Sequence, residues 1–217
     1  MALIEPPPRM TQRDNQRERT RAAILEAALQ AFAANGYDGA SVRDIAASAG
    51  INHAMIRYHF EGKEELWKAA VDFLFDRMNR EMSFSIEDRL ALREGDVSRF
   101  ADVLRRYVRY CARHPEHARI MVQECVRDTE RLRWAVERHI IPGHVGFAGM
   151  LHTLQAKGVV PQGSYVSLLY MMVASCQMAF ALGAEVRLAT GTDMTDEAAI
   201  EAHADAVVAL FCRTPLL

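Results

Sequence analysis

Two groups of side chains in this sequence have the types and spacing for chemistry. The first is His114 and His117, with Glu124 further along and Cys111 just upstream. Such a set would bind a metal if its ligands converged and a second shell held them in place. His114, however, precedes Pro115, which places it in a turn between helices, and His139 and His144 are five apart across Pro142, not on one helical face. There is also no Gly-rich phosphate loop, no HExxH pair and no nucleophile elbow. Neither a catalytic residue nor a metal or cofactor is expected. The second group is His53, Met55, Arg57 and Tyr58, which mixes hydrogen-bonding, apolar and cationic groups more richly than a solvated helix face needs.

The elements that must position this second group lie in the stretch SVRDIAASAGINHAMIRYHF, residues 41 to 60. Ile45 and Ala49 follow Ser41 at helical spacing, Gly50 breaks the helix, and Ile51, Ile56 and Phe60 carry a second short apolar segment. Ser41 with Asp44, and Asn52 before the second segment, are polar caps for helix N-termini. Two helices of barely two turns around a glycine bury little on their own and must lean on neighbours, which makes a helix-turn-helix. The spacing alone also fits a purely structural helix pair.

Around this stretch the chain reads as helices. One is expected from Thr20 to Asn35, with Ile24, Leu25, Ala28, Leu29 and Phe32 on one stripe. A long one starts at Lys63 and runs through Trp67, Phe73 and Met78, with Trp67 and Phe73 expected in packing rather than binding. The pattern weakens from Ser85 to Asp96, read as a bend or loop. Further helices are expected from Ser98 to the His114-Pro115 break, from Glu116 to about Val126, from Glu130 to Lys157 with a bend near Pro142-Gly143, from Gln162 or Ser164 to Leu188, and from Thr195 to Phe211. No alternation is long enough for a sheet.

With 217 residues, 50% of them hydrophobic, the chain can bury a substantial core. A net charge of -2 advertises no polyanion partner for the molecule as a whole, yet Arg9, Arg13, Arg17, Arg19 and Arg21 face only Asp14 and Glu18. This basic arm, residues 1 to 19, is positioned to touch phosphate or the minor groove if a DNA-binding domain follows. Cys111, Cys125, Cys176 and Cys212 are scattered without a CxxC pair, and MALIEPPPRM is no signal peptide, so a cytoplasmic location without a membrane is expected.

From about Arg21 to Phe75 the sequence resembles the DNA-binding domain of the TetR family of bacterial regulators. The family pattern Ala-Gly-Val-Ser-x-Gly-x-(Leu/Ile)-Tyr-x-(Tyr/His)-Phe-x-x-Lys-x-x-Leu stands here from Ala49 to Leu66, with Phe60, Lys63 and Leu66 in place. Arg57 stands where Tyr is usual and Ala54 where Gly or Pro is. The resemblance implies an all-α fold: an N-terminal three-helix helix-turn-helix domain, residues 20 to 66, joined by a long helix to a C-terminal helical ligand-binding and dimerisation bundle, residues 67 to 217. The segment HPEHARIMVQECV and the following ERLRWAVERHI look most like members whose regulatory domain is related to that of the pyrimidine-responsive regulators.

Carried over position by position, the resemblance implies DNA contacts from Ser41, Arg43, His53, Ala54, Met55, Arg57, Tyr58 and Lys63. Ser41, Arg43, Arg57 and Lys63 are expected on phosphate, and the others toward the groove, where Met55 and the Ala54 methyl suit a thymine methyl. Arg57 could instead turn inward to Asp44 or Glu61. A small effector of unknown identity is expected in the C-terminal domain, with Tyr107, Met121, Glu124, Trp134, Tyr170 and Gln177 as candidate contacts. Leu168, Met172, Cys176, Ala179, Leu182 and Val186, with Ala202, Ala206, Ala209 and Leu210, are expected to join two copies through the last two helices or to fill the core of one. The implied function is a homodimeric repressor that releases a palindromic double-stranded operator when the effector binds. Alternatives are a DNA-binding regulator without a small effector and, more remotely, a dimeric ligand-binding or interaction protein that does not bind DNA.

Overall fold

The computed structural model describes residues 11–213, and among them every regular element is helical. The chain divides into two compact units between Phe73 and Leu74.

In the first unit, α1 (Gln12–Gly39) buries Ile24, Leu25, Ala28, Leu29, Phe32 and Ala33. It begins eight residues before the expected start at Thr20. Thr11 explains the difference: its hydroxyl accepts from the Asp14 N–H, and the Asp14 carboxylate accepts from the Thr11 N–H, a complete capping box. Residues 12 to 19 of the basic arm are therefore a helical extension; Arg9 lies outside the described residues. Gly36 leaves helical geometry at φ 67° near the end of α1.

Ser41 accepts from the Asp44 N–H at the start of α2 (Val42–Ser48), and Asn52 accepts from the Ala54 N–H, 2.9 Å away, at the start of α3 (His53–His59). Both caps thus sit where the sequence puts them. Gly50, with φ 68°, makes the turn. A Cβ there would meet no atom within 4 Å, so only backbone strain opposes a side chain. Gly50→Ala should therefore cost about 1–2 kcal/mol of stability, read as a lowered midpoint in thermal denaturation; an unshifted midpoint would contradict the turn geometry. Ile45, Ala46, Ile56, Phe60, Leu66, Trp67, Ala70 and Val71 complete the core, and Trp67, 1% exposed, packs as expected.

α4 (Lys63–Glu81) carries the chain past the division. In the second unit the stretch expected as a loop is mostly α5 (Ile86–Glu94), a correction. Ser85 and Asp88 form its capping box and Gly95 closes it in the left-handed conformation. The apolar pattern was weak because only Asp88 and Leu92 are buried, the aspartate held by its cap and by Arg99. α6 (Val97–Arg113) is the central helix, burying Phe100, Val103, Leu104, Val108, Tyr110 and Cys111, and α7 (Pro115–Cys125) begins on the proline that ends it.

The helix expected from Glu130 onward is α8 (Glu130–Ala135), a π-helical turn (Val136–Ile140) and α9 (Ile141–Ala156). Pro142 has no N–H to return to the carbonyl four residues back, and the ladder slips to five-residue spacing just before it, Ile141 N–H bonding to Val136. The next helix also divides, into α10 (Tyr165–Ala181) and α11 (Gly183–Thr190), bent by 71°. No single described helix is long and apolar enough to cross a membrane; α10 with α11 would pass by length and composition only as a bent pair. α12 (Glu197–Phe211) packs on α6, and Arg105 with Asp205 and Arg109 with Glu201 tie the two on the surface.

Some of the residues expected to join two copies or to fill the core of one belong to the core. Leu168, Met172 and Cys176 are buried in this unit's own core, because the stripe at their spacing faces α6 and α12. The apolar side chains that α10 leaves exposed are Val166, Tyr170, Met171 and Ala174; on α12 they are Ala198, Ala202, Ala206, Ala209 and Leu210.

Candidate nucleic-acid interface

α3 turns one side to its core and another to solvent. Ile56 and Phe60 are buried, Met55 is half-buried, and His53, Ala54, Arg57 and Tyr58 share an exposed arc. Arg57 forms no ion pair or hydrogen bond among the described residues; neither Asp44 nor Glu61 holds it. Arg43 is likewise exposed and unpaired on α2. Ser41 is committed to its cap.

Lys63 departs from a freely solvated cation. Its ammonium donates to the Asp38 carbonyl at 3.2 Å and lies 4.9 Å from the centre of the Tyr37 ring, so it ties the start of α4 to the end of α1. The helical arm contributes a feature that the sequence reading missed. Arg17 lies over the Tyr58 ring at 5.6 Å and Arg21 over Phe60 at 5.4 Å, which brings two guanidinium groups beside the C-terminal end of α3. Burial, then Arg17 and Arg21, hold the His59 imidazole below its ordinary pKa. The four-residue spacing of Arg13, Arg17 and Arg21 was the signal, legible only once residues 12 to 19 are known to be helical.

Between residues 11 and 66 there are seven Lys and Arg against eight Asp and Glu, so the cationic character is a matter of placement, not of net charge. Met55 is flanked by the exposed arc yet reaches partway into the core. Met55→Ala is expected to shift the ranking of single-base operator variants, by about 1 kcal/mol at the affected base pair. Titrations against a set of such variants check it, and an unchanged ranking would remove Met55 from base reading.

The expected effector residues stand in different surroundings. Glu124 is buried but already satisfied, by Thr129 at 2.9 Å and Arg131 at 3.3 Å, so it is no polar group awaiting a ligand. Tyr170 is 59% exposed on the outer side of α10. Tyr107, stacked at 6.3 Å on Tyr110, has its phenol pKa raised well above the ordinary value by burial. Trp134 is edge-on to His139 at 5.7 Å, while Met121 and Gln177 are half-buried. A cleft of about 210 Å³ beside Arg119, Phe180, Arg187 and Met194 includes none of the six.

The His-x-x-His pair separates: His114 lies 3.2 Å from Glu81 and 3.3 Å from Glu116, whereas His117 Nδ1 is 3.2 Å from the Tyr110 hydroxyl. Among the described residues no group of three or more His, Cys, Asp or Glu is placed to hold a metal.

A short glycine-turned helix pair, packed on a third helix and presenting an unpaired cationic arc, defines a helix-turn-helix DNA-binding protein. Residues 24–70 match the family model described as bacterial regulatory proteins of the tetR family, and residues 97–210 match the Tetracyclin repressor-like C-terminal domain. The chain belongs to the TetR family, and is a DNA-binding transcriptional regulator rather than an enzyme.

Among curated relatives, the HTH-type transcriptional repressor NicS of Pseudomonas putida is 28% identical over 75% of this chain and 76% of its own. The repressor Rv3405c of Mycobacterium tuberculosis is 42% identical over 30% of this chain and 34% of its own. Among solved structures, the hemolysin II transcriptional regulator HlyIIR aligns with a TM-score of 0.60 at 21% identity, covering 91% of this chain and 99% of that one. The fatty acid degradation regulator FadR of Bacillus halodurans aligns with a TM-score of 0.60 at 19% identity over 87% and 94%. At these identities the two structures speak to the fold alone.

Proposed function

We propose that the protein is a homodimeric repressor that binds a palindromic operator and releases it when a small molecule occupies the C-terminal unit. The observation that carries this reading is the exposed arc of α3, where Arg57 has no internal partner. His53, Ala54, Met55 and Tyr58 would read base edges, while Arg57, Arg43, Lys63 and the start of α2 at Ser41 would position the helix on phosphates. Repression is supported by the names of relatives such as NicS and Rv3405c. A dimer would place two copies of α3 in successive major grooves about 34–36 Å apart. Release would follow from an effector that binds the DNA-incompetent arrangement more tightly than the competent one.

The exposed apolar residues of α10 and α12 supply the surface for a second copy, with Leu210 62% exposed and Tyr170 beside Met171 on the neighbouring helix. Leu210→Glu should weaken self-association at least tenfold, because burying one leucine is worth about 1.5–3 kcal/mol, and should weaken operator binding with it. Sedimentation equilibrium and operator titration, run together, test this. A monomeric wild-type protein, or a Leu210→Glu variant with undiminished dimer and operator affinity, would count against the proposal.

A further inference from the structure

One side of α1 changes character as it passes the end of α3. Arg17, Arg21 and Leu25 recur every four residues, and Leu25 is buried in the core of the first unit. Arg21 and Arg17, one and two turns nearer the N-terminus, lie over rings instead, Phe60 at 5.4 Å and Tyr58 at 5.6 Å. The two contacts differ in kind. Phe60 is 6% exposed and fixed by the core, so Arg21 rests on a ring that is already immobile. Tyr58 is 65% exposed and has no hydrogen bond or ion pair among the described residues.

A tyrosine on a helix surface has several rotamers open to it. Here Arg17 lies over the ring, and the neighbouring His59 ring stands at 86° to it, 5.1 Å away. A guanidinium is planar and weakly hydrated, so it stacks on an aromatic ring readily and restricts its movement. Among the described residues nothing draws Arg17 away: it has no ion pair or hydrogen bond, and Asp14, three residues before it, is taken up by Thr11. Burial first, and then Arg17 and Arg21, hold His59 below its ordinary pKa, so no further cation is set against the pair at neutral pH. Arg17 owes its place to the helical extension, whose start is fixed by the Thr11 and Asp14 capping box.

We propose that Arg17 is a positioning residue for operator recognition: stacked on Tyr58, it holds that ring in one orientation on α3 before DNA arrives, and so strengthens the base preference that Tyr58 supplies. A side chain that is already ordered loses little further freedom on binding. Arg17 thus acts through another side chain, unlike Arg57. The stack is a property of the free protein; its effect on the operator rests on the reading above, in which Tyr58 faces the groove.

The test joins an observation on the free protein to a double-mutant cycle on DNA. In the free full-length protein, nuclear Overhauser effects should connect the Arg17 side-chain protons to the ring protons of Tyr58, and their absence would overturn the stack. For the cycle, the probe is a duplex enriched from a random pool by the parent protein, with its single-base variants. Arg17→Gln should lower discrimination at the base pair where Tyr58→Ala loses it by about two- to fivefold, the worth of one exposed cation–π contact. Its helix content and melting temperature should match the parent. In the Tyr58→Ala background, Arg17→Gln should lower that discrimination no further. A direct phosphate contact gives a different result: all duplexes weaken alike, the salt slope falls by about one, and both happen with or without the Tyr58 ring. That outcome would overturn the positioning role. If Tyr58→Ala leaves every base preference intact, or no duplex is enriched, the groove-facing reading of Tyr58 fails and the positioning role falls with it. That failure is visible without any Arg17 variant, and the Overhauser contacts still decide the stack.

Discussion

Replacing Arg57 by alanine is expected to leave the protein folded, with stability within about 0.5 kcal/mol of the parent, and to weaken DNA binding by about 1–3 kcal/mol, roughly five- to 150-fold. The two halves of this expectation follow from one observation, the absence of any internal partner for the exposed guanidinium. Removing a solvated cation from the free protein disturbs nothing. Removing it from a complex takes away a planar, five-donor group facing a polyanion.

The manner of the loss separates two roles for Arg57. A phosphate contact, which the position implies by resemblance, should weaken specific and non-specific duplexes alike and reduce the slope of log affinity against log salt by about one. A contact to guanine O6 and N7 would instead relax the preference at one base pair and leave the slope nearly intact. Titrations at several salt concentrations beside a thermal melt decide the matter. A large fall in melting temperature with operator affinity preserved would show that Arg57 serves the fold.

The second large effect is on stability and lies in the C-terminal unit. Arg77 on α4 and Glu116 on α7 pair with only 8% and 4% of their surfaces exposed, and His114 stands 3.3 Å from the same carboxylate. Arg77→Met should destabilise the unit by about 3–5 kcal/mol, because it leaves a buried carboxylate deprived of its strongest partner, not because the intact pair is worth that much. The double variant Arg77→Met with Glu116→Leu should recover most of the loss, since two apolar groups of similar bulk leave no charge to compensate. Calorimetry on the single and double variants checks both; a single variant as stable as the parent would mean that Glu116 is held well enough by its other neighbours.

What the sequence determined by itself was local. Ser41, Gly50 and Asn52 specify the turn of the helix pair through caps and a left-handed backbone, interactions spanning two or three residues, and the buried Ile45, Ile56 and Phe60 follow from helical period. The family pattern around them fixed the class of protein for the same reason, being contiguous. The start of α1 and the existence of α5 were also written locally, in Thr11 with Asp14 and Ser85 with Asp88, but each box was obscured by a weak apolar pattern behind it.

Tertiary structure alone decided which of several equally apolar faces is core. Leu168, Met172 and Cys176 and the neighbouring Val166, Tyr170 and Met171 lie on the same helix with similar hydrophobicity, and only the positions of α6 and α12 bury the first set and expose the second. It likewise decided the fate of polar groups: Glu124 meets Thr129 and Arg131, Lys63 meets Asp38, Arg17 meets Tyr58, and His117 meets Tyr110, while Arg57 meets none. A charge or hydrogen-bonding group has the same letter whether it is spent inside the fold or left for a ligand. The difference is set by distances of a few ångströms between helices that lie far apart in the chain, which helical period and local caps do not encode.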